Sequence, residues 1–176
     1  MCVSMETKTV IWARRGFVAA CAACAISAMY LSHKQFVAWH TDPSVGAYLV
    51  PPYRPIGYFM RYAFTHFWLQ YVISFVAAWF FFILAKRLNA RRNGMIFEKE
   101  ELYFLAIGLG ASGHPGWIFY LLLVFSAYLL AALIGAAAHG ATARVSFYYF
   151  WLPCAAVTII LNAYLHQYAW YANLLI

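Results

Sequence analysis

Long apolar runs dominate the pattern of apolar and polar positions along this chain. Residues 102–138 contain no Asp, Glu, Lys or Arg, and Gly113-His114-Pro115-Gly116 is the one obvious break. A membrane-spanning helix needs about 20 apolar residues, so this run is too long for one helix. The pattern therefore predicts two inserted segments joined by a tight turn.

The same criterion applied to the whole chain predicts five inserted segments in a single membrane domain, residues 1–176. They are 16–31, 58–85, 98–113, 117–138 and 147–165, with an external loop at 32–55. The predicted fold is all-α, a polytopic transmembrane helical bundle.

The third predicted segment, 98–113, is short. A helix from Glu98 to Gly113 rises only about 24 Å, whereas the hydrocarbon core is about 30 Å thick. We expect either a short tilted span, which gives five spans, or a re-entrant half-helix, which gives four.

Composition and charge agree with membrane insertion. The chain is 66% hydrophobic and 10% charged, whereas soluble domains carry roughly 25% charged residues. A net charge of +7 would suggest nucleic acid for a soluble protein. Here the cations flank apolar segments, where they set orientation, so we predict the lipid bilayer as a partner and no nucleic acid.

The strongest orientation signal follows the second segment, where Lys86, Arg87, Arg91 and Arg92 lie within seven residues. Cationic loops face the cytoplasm. This predicts a cytoplasmic N-terminus, an external 32–55 loop and, with five spans, an external C-terminus. The predicted location is a bacterial cytoplasmic membrane.

Polar residues recur every four positions on two segments and form two stripes. The candidate polar core consists of His66, Gln70, Ser74, Cys154, Thr158, Asn162 and His166. Such groups are costly in a bilayer unless they face a partner, a cavity or the bundle interior. One reading is hydrogen-bonded glue between helices; the other is a small-molecule or proton path in which the two histidines titrate.

Charged residues between the second and third segments form a candidate interfacial ion-pair cluster. Its members are Arg91, Arg92, Glu98, Glu100 and Glu101. An intramembrane aspartic protease needs two acids that share a site, but the single aspartate, Asp42, lies in the external loop. We predict no enzymatic activity.

Metal and cofactor patterns are incomplete. Cys21 and Cys24 form a CxxC inside an apolar helix, and no second cysteine pair completes a zinc site. Histidine ligation of haem is an alternative that uses His66, His114, His139 and His166. Because His114 and His139 are about 37 Å apart along a helix, we predict no cofactor and no metal.

Residues 98–157 resemble the C-terminal half of bacterial type IV prepilin peptidases. The resemblance is carried by Glu100–Gly110, the break ending in Trp117, and Arg144–Pro153. In that family a glycine-rich turn with a catalytic aspartate opens a short helix. Glutamate stands at that place here and a second acid is missing, so the resemblance implies a non-catalytic relative and no catalytic residue is carried over.

The functional prediction is a small integral membrane protein that serves as a non-catalytic assembly or accessory subunit of a membrane complex. Its protein partner would be another membrane protein or further copies of itself. The alternatives are a transport component lined by the two polar stripes and a degenerate prepilin peptidase relative.

Overall fold

The computed structural model describes residues 2–92, 96–139, 146–165, 167, 168 and 171. These residues form six α-helices and no strand. The helices are α1 (Cys2–Thr41), α2 (Ile56–Ala63), α3 (Leu69–Arg91), α4 (Glu101–Ala111), α5 (Gly116–His139) and α6 (Tyr148–Leu165). A π-helical turn, Phe64–Trp68, joins α2 to α3 in one continuous rod.

The predicted all-α membrane bundle is confirmed. Within the described part of the chain, four helical stretches are long and apolar enough to cross a membrane. They are Lys8–Thr41, Ile56–Arg91, Gly116–Ala138 and Tyr148–Leu165. The chain is therefore an integral membrane protein.

The helices α1 and α2 extend beyond the predicted segments 16–31 and 58–85, so the predicted loop 32–55 is too long. Residues 32–41 are helical because Trp39 packs against the ring of Phe59, 5.7 Å between centroids. Phe59 belongs to a small apolar cluster with Val50 and Ala63. The connection between the helices is reduced to residues 42–55.

The carboxylate of Asp42 organises this connection where α1 ends. It accepts hydrogen bonds from the Ser44 hydroxyl at 2.6 Å, the Ser44 N–H at 2.9 Å and the Gly46 N–H at 3.0 Å. These hydrogen bonds lower the pKa of Asp42 to about 2, and the bond from the Ser44 side chain has the largest effect. The hydrogen-bond partners of the single aspartate thus lie in its own loop, and its role there is structural.

The five segments alternate in direction. Side-chain contacts at two levels show this for α1 and α3, where Phe17 meets Phe75 and Trp39 meets Tyr62 of the same rod. They also show it for α3 and α4, where Phe82 meets Tyr103 and Phe75 lies against Gly110. The helix α5 returns alongside α4, and α6 again runs parallel to α4. The third segment thus enters the bundle and the fourth leaves it on the same side.

The short helix α4 lies at the centre of the bundle and contacts α1, α3, α5 and α6. Its 11 residues rise only about 16 Å, so it cannot cross the bilayer alone. Leu109 is completely buried. Two glycines allow this close packing, because a Cβ at Gly108 would overlap the ring of Tyr120 from α5 and one at Gly110 the ring of Phe75 from α3.

Candidate functional site at the turn between α4 and α5

The turn that follows α4 lies deep in the protein. Ser112 is 1% exposed, and Gly113, Pro115 and Gly116 are also buried. Gly113 has a φ of 66°, a left-handed conformation that glycine adopts without a steric penalty. The sequence break therefore marks a turn enclosed by protein.

Gln70 of α3 and Asn162 of α6 approach this turn from two helices. The Asn162 side chain donates a hydrogen bond to the backbone carbonyl of Ser112 at 2.9 Å. The His114 backbone N–H donates one to the backbone carbonyl of Gln70 at 3.0 Å. A Cβ at Gly113 would lie 3.7 Å from Asn162 Nδ2 and 3.8 Å from Gln70 Oε1. One residue of each predicted stripe thus meets the same turn.

The other described residues of the α6 stripe continue along the same helix. Thr158 and Cys154 are buried, and the Thr158 hydroxyl donates to the Cys154 carbonyl at 2.8 Å. That bond closes within α6 and joins no second helix. His166, the last residue of this stripe, lies outside the described residues.

The α3 stripe separates into different environments. Ser74 is fully buried, and its hydroxyl has no hydrogen-bond partner among the described residues. Gln70 is half-buried, and its Nε2 donates to the Phe67 carbonyl at 3.4 Å. His66 is exposed and stacks on Tyr62, 4.0 Å between ring centroids, so it lies apart from the turn.

Aromatic residues that the stripes did not include complete the site. The Trp117 indole donates to His114 Nδ1 at 3.2 Å, and the Tyr171 hydroxyl donates to Asn162 Oδ1. The break around His114 was visible in the sequence. Tyr171 follows the last predicted segment, and no periodic pattern connects it with Asn162.

The predicted ion-pair cluster differs from the structure. Within the described residues, no ion pair joins Arg91 or Arg92 to the glutamates near the start of α4, and both arginines are exposed. Glu101 is instead 3% exposed. Its carboxylate accepts a hydrogen bond from the Glu98 N–H at 3.0 Å and one from the Ser146 hydroxyl at 3.3 Å.

The Glu101 carboxylate thus reaches back to a backbone N–H three residues earlier, just before α4 begins. This explains why Glu101 points inward rather than toward a cation. Burial raises the pKa of the Glu101 carboxyl, and the two hydrogen bonds only partly oppose that shift.

The described side chains provide no metal centre, since no three His, Cys, Asp or Glu residues among them converge. Comparison with known protein families, curated proteins and solved structures finds no match to this chain.

Proposed function

We propose that this chain is a non-catalytic assembly or accessory subunit of a membrane complex. The observation that supports this most is the bonding of Asn162 to the Ser112 carbonyl, because it uses the most polar group of α6 to hold a turn inside the bundle. On this proposal the polar stripes stabilise the fold, and the outer surface of the bundle binds the partner protein.

The burial of the turn favours this structural role. Irregular backbone at membrane depth is tolerated where it is buried in protein or where it lines a water-filled cavity. With Ser112 at 1% exposure and Pro115 and Gly116 also buried, this turn belongs to the first kind. Hydrogen bonds with the Gln70 carbonyl of α3 and the Asn162 amide of α6 pair two backbone groups of the turn that would otherwise need water as a partner.

The C-terminal half of α5 offers a surface for a membrane partner. Beyond Tyr128, which stacks on Phe147 at 3.8 Å between centroids, the large apolar side chains are exposed. Leu129, Leu130 and Leu133 are each 60% exposed. Ala131 and Gly135 continue a stripe of small residues that begins at Ala127, which packs on the core, and small residues permit close approach of another helix.

Purification from native membranes in a mild detergent, followed by reconstitution, tests the proposal. We expect a discrete complex that contains a second membrane protein in fixed ratio, and proteoliposomes of the purified chain that conduct protons no faster than empty liposomes. A chain that is isolated alone and conducts protons would contradict the subunit role.

Transport is the second candidate, and one observation favours it. The buried Ser74 hydroxyl lacks a partner among the described residues, and half-buried Gln70, His114 and Asn162 lie around the turn. Polar groups of this kind can form a path for water or protons. A Ser74→Ala variant would abolish conduction if Ser74 belonged to such a path, and would leave a structural subunit unaffected.

The prepilin peptidase resemblance remains a proposal about ancestry. It is supported by the position of Glu101, which is the only acidic side chain among the buried residues that the structure describes. A single buried acid without a second one fits a relative that has lost catalysis.

A further inference from the structure

An apolar groove runs between α1 and α3 on the outside of the bundle. It has a volume of about 430 Å³, and its walls include Cys21 and Ala25 from α1 and Val72 and Val76 from α3. Trp68 and Trp79 stand at its two ends. They are eleven residues apart on the rod formed by the π-helical turn and α3, about 16 Å along a helix, which is close to half of a bilayer core of about 30 Å.

A second hollow, of about 330 Å³, lies on α1 and is lined by Ile11, Arg14, Arg15 and Val18. Arg14, Val18, Cys21 and Ala25 follow one another at intervals of four, three and four residues. This spacing places them on one face of α1. The basic hollow and the apolar groove therefore lie in line along this face of α1.

The helix register brings the two hollows to the same end. Phe17 and Phe75 meet with their ring centroids 6.1 Å apart, and α1 and α3 are antiparallel. Trp79, one turn after Phe75, consequently lies level with the turn before Phe17, where Arg14 is found. The end of the groove at Trp79 opens toward the guanidinium groups.

Arg14 and Arg15 mark one edge of the apolar part of α1, since residues 16–33 contain no Asp, Glu, Lys or Arg and rise about 27 Å as a helix. On α3 the apolar residues continue about 10 Å past the level of Arg14, to Lys86. Long arginine side chains can extend over that distance toward the headgroups. Both arginines are exposed, and no ion pair involves them within the described residues. The Arg15 guanidinium lies 5.6 Å from the centroid of the Trp12 ring.

We propose that the basic hollow and the apolar groove together bind one anionic phospholipid from the leaflet next to Arg14. The phosphate lies in the hollow between Arg14 and Arg15, because guanidinium groups bind phosphate oxygens in a matching fork geometry. One acyl chain lies in the groove between Ala25 and Val76. The positive charge of the two arginines favours an anionic headgroup, and the apolar walls of the groove favour an acyl chain.

Native mass spectrometry of the full chain tests the headgroup site. The protein is released from detergent after equilibration with equal amounts of phosphatidylglycerol and phosphatidylcholine that carry identical acyl chains. We expect about 25-fold more bound phosphatidylglycerol, since each of the two arginines near an anionic headgroup contributes on the order of a fivefold preference.

The double variant Arg14→Gln/Arg15→Gln should lose this preference. The matched control, Arg91→Gln/Arg92→Gln, removes the same charge from exposed positions at the end of α3 and should keep it. Equal loss in both variants would overturn the site, because the preference would then follow net charge.

Filling the groove tests the acyl-chain site. Ala25→Trp should abolish retention of both lipids, whereas Ala19→Trp, on an exposed part of α1 outside the groove, should not. Circular dichroism of each variant verifies that the helices remain folded. Undiminished lipid retention by a folded Ala25→Trp variant would overturn the proposal. So would a dimer mass in the wild type that this variant removes, because a second copy would then occupy the groove.

Discussion

Gly108 of α4 lies directly against the ring of Tyr120 of α5. The Tyr120 hydroxyl continues past α4 and donates a hydrogen bond to the Trp151 carbonyl of α6 at 3.3 Å. One glycine thereby allows a single tyrosine to bridge three helices. The absence of a side chain at this position is a packing requirement of the bundle.

Replacing Gly108 by alanine should destabilise the protein. The new methyl group would overlap the Tyr120 ring, and overpacking of this kind costs about 1–3 kcal/mol. Thermal unfolding in detergent measures the loss. Gly57→Ala is the control, because a Cβ at Gly57 meets no atom within 4 Å, and an unchanged unfolding transition for Gly108→Ala would contradict the packing argument.

Replacing Asn162 by leucine should remove the bond that holds the α4–α5 turn. The change leaves the Ser112 carbonyl without its side-chain donor, and we expect a loss of about 0.6–2 kcal/mol, as for other interhelical bonds in membranes. The same amide-to-leucine change at Gln167, which is exposed, should leave stability unchanged.

Combining Asn162→Leu with Tyr171→Phe should cost less than the sum of the two single changes, because Tyr171 donates to Asn162 and the variants remove one shared interaction. A double-variant cycle of unfolding free energies measures this coupling. Strict additivity would show that the two side chains are independent. Loss of proton conduction with unchanged stability would instead favour the transport candidate.

Glu101 should make stability depend on pH. Because burial raises its pKa in the folded chain, the folded state binds a proton more tightly than the unfolded state. Stability should therefore fall as pH rises from the ordinary glutamate value through the raised one. Unfolding measured from about pH 4 to pH 8 should show this fall in the wild type and not in Glu101→Gln.

The neighbouring change Glu100→Gln is the control for this measurement, and it should keep the pH dependence of the wild type. If Glu101→Gln keeps it as well, the carboxyl is not the titrating group. The prediction would then be wrong, although the hydrogen bonds from Glu98 and Ser146 would still stand.

The predicted orientation can be tested by labelling with a membrane-impermeant thiol reagent. Tyr53, 64% exposed, lies in the connection between α1 and α2, and Arg92 is exposed at the end of α3. In a background whose four cysteines are alanine, intact cells should be labelled at Tyr53→Cys and not at Arg92→Cys. The reverse result would invert the topology.

Hydrophobicity predicted most of the helix boundaries, and the reasons for the exceptions are physical. The fourth and fifth predicted segments, 117–138 and 147–165, differ by a residue at most from α5 and α6. The two ends of α1, residues 2–15 and 32–41, were not predicted as part of the first segment. Residues 32–41 are too polar to be recognised as membrane helix, and they are helical because Trp39 finds an apolar partner in Phe59.

The spacing rule identified Gln70 and Asn162 as residues that turn inward, but it also included His66. That rule assumes 3.6 residues per turn. His66 lies within the π-helical turn Phe64–Trp68, where the wider winding changes the direction of the side chains. The sequence pattern does not reveal the π-helical turn, so it does not predict the direction of the His66 side chain relative to that of Gln70.

The enclosure of α4 has a consequence for how the protein is made. The helix α4 has 11 residues, and its glycines are covered by the rings of Phe75 and Tyr120. Its insertion into lipid is therefore unfavourable before those rings are in place. We expect biosynthesis to insert α1 and α3 first, and α4 to enter together with α5. A chain truncated after Ser112 and released from the ribosome should therefore leave α4 accessible to protease, whereas one truncated after His139 and released should protect it.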